Sequence, residues 1–324
     1  MWQLFTSRFY QASFVGLWLC LLLLAHTPLH AQEGISFEAY VDARQVVLNG
    51  YFNVSFTLKN ADGNGFKAPS FKDFVVAGGP SRSMSTTLIN GVMSKEIRYS
   101  YTLRPRKKGK YVIGSASVMA DGREMRTAPL TIEVVEGKSN QDSDRRLFVK
   151  AELSSTEAWI GQQIVLDYKL YTTVDVETYN ISEESAYQGF YAEDIRRFDS
   201  RVMREVIDGV QYTTKVLKRT VLFPQQTGIL EIDPMYLQMG ISTKDPGRST
   251  SFYFNRQIQR LDITTERLEV KVKPLPGPIP DSFTGAVGKF GFRVSGIRSD
   301  ATTDDALSLK IEVSGNGDIK RVGA

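Results

Sequence analysis

The side chains that most often carry catalysis or bind metals are concentrated at the start of this chain. The sequence contains one cysteine, Cys20, and two histidines, His26 and His30. All three precede Gln32, so the sequence after that point offers no thiolate and no imidazole. Cysteine nucleophiles, Ser-His-Asp triads, disulfides and zinc or copper sites built on His or Cys are therefore excluded from the rest of the chain.

The remaining carboxylates and serines show no distinctive catalytic spacing. The 36 Asp and Glu residues form no recognisable acid–base pair of the glycosidase type, and no serine is followed by lysine three residues later. Asp62–Gly65 (DGNG) is similar to part of a calcium loop, but the acidic ligands at EF-hand spacing are missing, which favours a hairpin turn. We predict no catalytic, cofactor-binding or metal-binding residues, and hence no enzyme.

The side chains best suited to contacting a protein partner lie in an insertion at about residues 238–266. They combine three aromatic rings with two arginines, a composition typical of interface hot spots. The alternative is that the rings pack against their own domain. The predicted contact residues are Phe252, Tyr253, Phe254, Arg256 and Arg260.

Charge gives a weaker indication of partners. Arg104–Lys110 (RPRKKGK) holds five basic residues in seven, which fits either a solvated corner or a contact with an anionic headgroup or partner. After Gln32 the sequence contains 39 Lys and Arg and 36 Asp and Glu, and the positive and negative residues are interspersed. This balance does not show the footprint of a nucleic-acid-binding protein.

These residues are positioned by β-strands. Polar and apolar residues alternate with period two in several runs, which is typical of half-buried antiparallel strands. Turn-forming pairs such as Asp121-Gly122 and Asp208-Gly209 separate the runs. The alternating runs cover residues 35–41, 54–58, 97–103, 147–153 and 164–170.

One phrase of the sequence occurs twice. Pro105 and Gly109 recur as Pro224 and Gly228, 119 residues later, and each pair sits between two strand-like runs. Proline ends a strand and glycine permits a tight turn, so we expect the flanking strands to pair as a hairpin. A repeat of this length built from short strands is typical of an immunoglobulin-like sandwich.

Composition shifts divide the chain further. A polar segment at residues 136–144 and a proline-rich segment at residues 273–280 read as linkers, and the roughly 40 residues that follow are too few to close a sandwich. We therefore expect the natural chain to continue. The predicted fold is all-β, with tandem immunoglobulin-like β-sandwiches, two complete and the start of a third. The predicted boundaries are a signal peptide at 1–31, a first sandwich at 32–136, a linker at 137–144, a second sandwich at 145–273, a proline-rich linker at 274–283 and an incomplete third sandwich at 284–324.

Residues 1–31 have the pattern of a secretory signal peptide. Arg8 is the only charged residue before an apolar run at positions 12–25, and Leu29 and Ala31 form an A-x-A-like cleavage site. The alternative is an uncleaved anchor, but the run of 14 residues is shorter than the roughly 20 that span a bilayer.

Two stretches resemble the BatD family, the Bacteroides aerotolerance (oxygen tolerance) proteins. The first runs from Tyr101 to Val134 (YTLRPRKKGKYVIGSASVMADGREMRTAPLTIEV) and the second from Val272 to Phe292 (VKPLPGPIPDSFTGAVGKFGF). The resemblance implies an exported protein of tandem Ig-like modules, with a transmembrane helix near the C-terminus of the full-length members. Membrane association of this chain is therefore expected only through a C-terminal segment that is absent here.

The same resemblance implies a non-enzymatic envelope protein that acts with von Willebrand factor A-type and tetratricopeptide-repeat Bat proteins. We predict an exported scaffold or protein-binding component of the Bat aerotolerance system, periplasmic or associated with the inner membrane, with no cofactor and no nucleic acid. The alternative is a carbohydrate-binding or adhesive surface protein, which a row of exposed aromatics across one sheet face would favour.

Overall fold

The alternation of polar and apolar residues is realised as β-strands throughout. The structure is a computed structural model. It describes residues 34–89, 92–137, 145–243, 257–296 and 308–322. These residues form 23 β-strands and one short 3₁₀ turn, Ile319–Arg321, and they contain no α-helix. The predicted all-β fold class is confirmed.

The first sandwich contains ten strands in three sheets. The strands are β1 (Ser36–Val41), β2 (Gln45–Val47), β3 (Phe52–Lys59), β4 (Gly63–Lys67), β5 (Phe74–Ile89), β6 (Val92–Pro105), β7 (Gly109–Ile113), β8 (Ser117–Ala120), β9 (Arg123–Arg126) and β10 (Leu130–Val135). Their orders are β1-β3-β6-β5, β2-β10-β7 and β4-β8-β9. The pairs are antiparallel, except that β2 runs parallel to β10.

The period-two pattern decides which residues form the first core. Along β3, Phe52, Val54, Phe56 and Leu58 are fully buried, and the residues between them point to the opposite face. Phe56 packs against Phe66 with ring centroids 5.7 Å apart. Full burial of one such side chain contributes about 1.5–3 kcal/mol, so β3 is central to the stability of this sandwich.

The second sandwich repeats the first, except that two strands take the place of β5. Its strands are β11 (Leu147–Leu153), β12 (Glu157–Trp159), β13 (Ile164–Thr172), β14 (Val176–Glu183), β15 (Phe190–Asp194), β16 (Met203–Ile207), β17 (Val210–Pro224), β18 (Gly228–Ile232), β19 (Tyr236–Thr243), β20 (Gln257–Thr264) and β21 (Leu268–Lys273). The orders β11-β13-β17-β15, β12-β21-β18 and β14-β19-β20 match those of the first sandwich. The register agrees as well, since Val41 faces Val54 in one and Leu153 faces Leu166 in the other.

The repeat differs at the strand that borders β6 or β17. In the first sandwich, β5 runs from Phe74, opposite Pro105, to Ile89, opposite Val92, with register shifts around Gly78. In the second sandwich, the same course is divided between β15 and β16, and residues 195–202 connect them. Both courses end in a hairpin with β6 or β17.

The prediction that the strands around Pro105 and Gly109 pair with each other is wrong. β6 ends at Pro105 and pairs with β3 and β5, whereas β7 starts at Gly109 and pairs with β10 in the other layer. Pro224 and Gly228 likewise connect strands of two different sheets. Proline does end the strand as expected, but the glycine, with φ of 139° at Gly109, redirects the chain across the sandwich.

A third, smaller unit follows the second sandwich. Strands β22 (Phe290–Ser295) and β23 (Lys310–Gly315) pair antiparallel as a two-stranded sheet. Val287 forms a parallel bridge with Gln162, and Lys320 pairs with Glu193 at 3.0 Å. The described part of this unit therefore rests on the second sandwich.

Candidate functional site

Two hairpins occupy equivalent positions in the two sandwiches, and they have different surroundings. We call residues 81–89 and 92–97, at the end of β5 and the start of β6, the free hairpin. We call residues 203–214, formed by β16 and the start of β17, the docked hairpin. In the docked hairpin, Asp208 and Gly209 have φ of 51° and 81°, the left-handed values that a two-residue turn between paired strands requires.

The docked hairpin binds the first sandwich through Arg204. The backbone N–H of Arg204 donates to the carbonyl of Asp42 at 2.6 Å, and its guanidinium pairs with the Asp42 carboxylate. The same carboxylate accepts hydrogen bonds from the backbone N–H and the side-chain amide of Asn53, at 2.8 and 2.9 Å. Asp42 is buried, and burial also lowers the pKa of the Arg204 guanidinium, so each charge depends on the other.

Gln211 makes a second contact across the same junction. Its side-chain oxygen accepts from the backbone N–H of Val47 at 3.2 Å, and its side-chain nitrogen donates to the carbonyl of Tyr51 at 2.9 Å. A Cβ at Gly50 would lie 2.6 Å from that oxygen, so a larger residue there would displace the Gln211 side chain. One side chain thus satisfies two backbone groups of the first sandwich.

The connection at residues 195–202 adds an aromatic contact. The Arg201 guanidinium lies 4.1 Å from the centre of the Tyr40 ring, and the Tyr40 hydroxyl donates to the sulfur of Met203. Hydrogen bonds from Arg201 hold the pKa of the Asp199 carboxyl below its usual value. The second sandwich therefore contacts the first with both its hairpin and this connection.

A cleft of about 420 Å³ lies beside this junction, on the outer face of the β1-β3-β6-β5 sheet. Its arginines and carboxylate are already neutralised: Arg201 by Asp199, Asp42 by Arg204, and Arg98 by Glu96 at 2.6 Å. With hydroxyls and paired charges only, the cleft offers hydrogen bonds and no activated nucleophile. Its polar lining is Asp42, Asn53, Ser55, Thr57, Arg98, Ser100 and Arg201.

The free hairpin presents apolar side chains to solvent. Met84, Leu88 and Met93 are 59%, 70% and 64% exposed, and Leu88 lies directly opposite Met93. Met84 lies opposite Ile97, which is buried, so all three side chains extend the inner face of the sheet beyond the core. Clustered exposed apolar residues mark interaction surfaces, so the free hairpin is the candidate protein-binding site.

Sequence reasoning did not find this site. Its signal was the length of the hairpin: β5 and β6 have 16 and 14 residues, far above the usual strand length of about 5–6. Such long strands must run past the sandwich that they cover.

The residues predicted to contact a partner lie mostly beyond the structure. Phe252, Tyr253, Phe254 and Arg256 fall in segment 244–256, outside the described residues. Arg260 is exposed on β20, opposite Gly240 of β19. The predicted insertion thus corresponds to the β19–β20 hairpin, which is longer than its equivalent β8–β9, and its role stays a prediction.

The described residues show neither a metal site nor a membrane-spanning helix. Among them, no cluster of three or more His, Cys, Asp or Glu side chains could hold a metal ion. No helix within these same ranges is long and apolar enough to cross a membrane.

A match to a known family covers most of the first sandwich. The model of the BatD DUF11-like domain matches residues 39–134, from β1 to the penultimate residue of β10. The first sandwich is similar to the BatD domain. The match confirms the predicted resemblance and supports assigning the chain to the BatD family. A comparison with curated protein sequences finds no match.

Several solved structures align with most of this chain at low similarity. The C-terminal domain of the Streptococcus pyogenes antigen I/II-family protein AspA aligns with 73% of this chain and 99% of its own length, at 10% identity and a TM-score of 0.22. The collagen adhesin CNA from S. aureus aligns with 75% of this chain and 96% of its own, at 7% identity and a TM-score of 0.18. At such TM-scores the likeness has no bearing on function, and the fold assignment rests on the strand orders above.

Proposed function

We propose that this chain is an exported, non-enzymatic protein of the bacterial cell envelope that binds other proteins, and that the free hairpin is its contact surface. The similarity of the first sandwich to the BatD domain and the signal-peptide pattern of residues 1–31 support export to the envelope. The apolar surface of Met84, Leu88 and Met93 supports protein binding.

The observation that carries the proposal is the behaviour of the equivalent hairpin. In the second sandwich this hairpin binds a neighbouring sandwich through Arg204 and Gln211. In the first sandwich the same element has no neighbour among the described residues and exposes Leu88 and Met93 instead. An element that joins domains within the chain is well placed to join this chain to another protein.

The partners that we propose are the von Willebrand factor A-type and tetratricopeptide-repeat proteins of the Bat aerotolerance system. They follow from the BatD resemblance rather than from the geometry of the hairpin. Phe252, Tyr253, Phe254, Arg256 and Arg260 are a second proposed contact.

The carbohydrate-binding alternative has less support. Sugar-binding sheets present neighbouring aromatic rings as a platform, whereas the exposed tyrosines here are dispersed. Tyr51 follows β2 in the first sandwich, and Tyr179, Tyr191 and Tyr236 lie on three different strands of the second.

The test is co-purification from the native envelope. Replacing Met84, Leu88 and Met93 by Ser should reduce recovery of the Bat proteins at least tenfold, since apolar anchors are often worth about 2 kcal/mol each. The matched control is Val112→Ser with Ile229→Ser, which removes side chains of similar exposure, 61% and 68%, elsewhere on the two sandwiches.

Other outcomes are equally informative. Unchanged recovery with the hairpin variant, together with loss on replacing Phe252, Tyr253 and Phe254 by Ala, would move the contact to the β19–β20 hairpin. Binding of envelope polysaccharide without any protein would contradict the proposal and favour the carbohydrate alternative.

A further inference from the structure

Among the described residues, the free hairpin also has a backbone edge that no other strand pairs with. β5 is the last strand of the β1-β3-β6-β5 sheet, and residues 81–88 are all exposed. The backbone N–H of Asn60 donates to the carbonyl of Lys95 at 2.8 Å, so Lys95 directs its backbone away from β5. Lys95 and its partner Thr86 are therefore a non-hydrogen-bonded pair, and Thr86 directs its own N–H and C=O outward.

The outward direction of the backbone groups at Thr86 also fixes their direction at the neighbouring residues of β5. Because backbone groups switch sides at every residue, Met84 and Leu88 also direct their N–H and C=O outward, as Thr86 does. The side chains of Met84, Thr86 and Leu88 share one face, and Ser83, Ser85 and Thr87 share the other. The edge is thus a regular row of donors and acceptors, with an apolar face on one side and hydroxyls on the other.

This edge lacks the usual protection against pairing. Natural edge strands are blocked by charges, proline or bulges. Pro80 and the register shifts around Gly78 protect the first half of β5, and Arg82 lies 5.9 Å from the centre of the Tyr99 ring. From Ser83 to Leu88, however, the strand carries no charge.

The outer strands of the second sandwich are different. In the strands equivalent to β5, β15 carries Glu193 and Asp194, and β16 carries Arg204 and Glu205. A long, uncharged edge on one sandwich only indicates that pairing is tolerated there.

We propose that a second copy of this chain pairs antiparallel along this edge, with the two-fold axis at Thr86. In this register Thr86 faces Thr86 of the second copy, and Met84 faces Leu88 of the second copy. These are all residues with outward backbone groups, so each can donate one hydrogen bond and accept one across the axis. An interface of this kind is isologous, which closes the assembly as a dimer.

A second copy fits this edge better than an arbitrary strand, for two reasons. It brings the same alternation, so Met84, Leu88 and Met93 of both copies meet on one face and hydroxyls meet on the other. It also brings no charge directly opposite Ser83–Leu88. The contact is small, so we expect a weak dimer with a micromolar Kd.

The first test is the oligomeric state of the purified chain. Light scattering and sedimentation over roughly a 100-fold dilution series should show a reversible dimer in the micromolar range. Thr86→Pro removes the outward N–H and should abolish the dimer, whereas Thr86→Val removes only the hydroxyl and should retain it. A monomer at every concentration, or a Thr86→Pro variant as dimeric as Thr86→Val, would overturn the proposal.

The second test fixes the register without relying on proline. Cα atoms of a hydrogen-bonded antiparallel pair lie about 5.5 Å apart, within the range of a disulfide. Thr86→Cys should therefore cross-link into a covalent dimer under mild oxidation. Ser83→Cys should not, because in this register the two Ser83 positions lie about 20 Å apart. Equal cross-linking of the two variants, or none by Thr86→Cys, would contradict the register.

These measurements are independent of the proposed function. Self-association is observed with the purified chain alone, so it can fail while envelope proteins still bind, or succeed while they do not. The Thr86→Pro variant separates the two cases, since it removes the outward N–H at the two-fold axis and leaves the Met84, Leu88 and Met93 side chains in place.

Discussion

The docked hairpin and the free hairpin use the same fold for opposite purposes. Counted from their turns, Arg204 corresponds to Thr86 and Gln211 corresponds to Met93. Arg204 and Gln211 of the docked hairpin both bind the first sandwich. Among the described residues, the side chains of Thr86 and Met93 have no such partner. The fold thus sets where a hairpin projects, and a few side chains decide whether its surface is used within the chain.

The strands leading to the two hairpins show the same division. β5 continues along β6 with only a local irregularity near Gly78, so the free hairpin stays a straight extension of its sheet. Between β15 and β16 the chain leaves the sheet at residues 195–202 and places Arg201 on Tyr40. The interruption turns a sheet edge into a contact between domains.

The largest effects are expected in the two cores, which the comparison treats as separate. Phe56 and Tyr168 occupy equivalent buried positions, and replacing either by Ala should lower the free energy of unfolding by about 3–5 kcal/mol. Hydrogen exchange should locate the loss in β3 for Phe56→Ala and in β13 for Tyr168→Ala. Equal loss in both sandwiches from one substitution would show that they unfold as a unit.

The next effect concerns the junction. Arg204→Ala should lower the free energy of unfolding by about 1–3 kcal/mol, because the buried Asp42 carboxylate keeps only the Asn53 donors. Denaturant unfolding measures this change. The matched control is Thr86→Ala at the corresponding position of the free hairpin, where we expect a change within about 0.5 kcal/mol. Similar changes at the two positions would remove the distinction between the hairpins.

A difference in alkaline stability should also separate the cores. Burial raises the pKa of Tyr168, whose hydroxyl lies 2.7 Å from the hydroxyl of Ser185, while Phe56 has no proton to lose. An unfolded tyrosine ionises near pH 10, so the stability contributed by the neutral folded Tyr168 is present below that pH and is lost as the pH rises further. The slope should be up to about 1.4 kcal/mol per pH unit.

Unfolding of β13 measured by hydrogen exchange between pH 8 and pH 11 tests this slope. Tyr168→Phe should make it shallower, with the remainder contributed by Tyr171 of the same strand, whose pKa burial also raises. Tyr51→Phe, at an exposed ring, is the control. An alkaline slope that is identical in the wild type and in Tyr168→Phe would disprove the role of Tyr168.

The smallest effect compares single polar and apolar contacts. Gln211→Ser should cost about 1 kcal/mol, because two backbone groups of the first sandwich lose their partner. Met93→Ser at the corresponding position should change stability by less than about 0.5 kcal/mol, since its side chain is exposed. Thermal melts of the two variants give the comparison, and a larger loss for Met93→Ser would mean that the free hairpin is covered within this chain.

Part of this fold could be predicted from local sequence. The alternating runs at 54–58 and 164–170 are strands β3 and β13, with the apolar residues inward as period two requires. Asp121-Gly122 and Asp208-Gly209 are turns with positive φ at both residues. These features depend on neighbouring residues only, so the pattern is sufficient.

The candidate site could not be predicted in the same way. The composition of the segment from Phe252 to Arg260 indicated a contact site. Met84, Leu88 and Met93, in contrast, are ordinary members of an alternating run. Only the length of β5 and β6 relative to the sandwich shows that these side chains pass beyond the core. The prediction of a hairpin at Pro105–Gly109 was wrong for a related reason. Local residues end a strand, but they do not determine which sheet the next strand joins.

The sequence by itself determined the all-β class, the twofold repeat, and the exclusion of thiol and imidazole chemistry after Gln32, because composition and short-range alternation suffice for each. Only the tertiary structure decided which hairpin is docked. The contact of Gln211 with Val47 joins residues 164 positions apart, and its partner is a backbone N–H that any residue could supply. A local sequence pattern does not predict such a contact. The contact can be identified only from the positions of the two sandwiches in the tertiary structure.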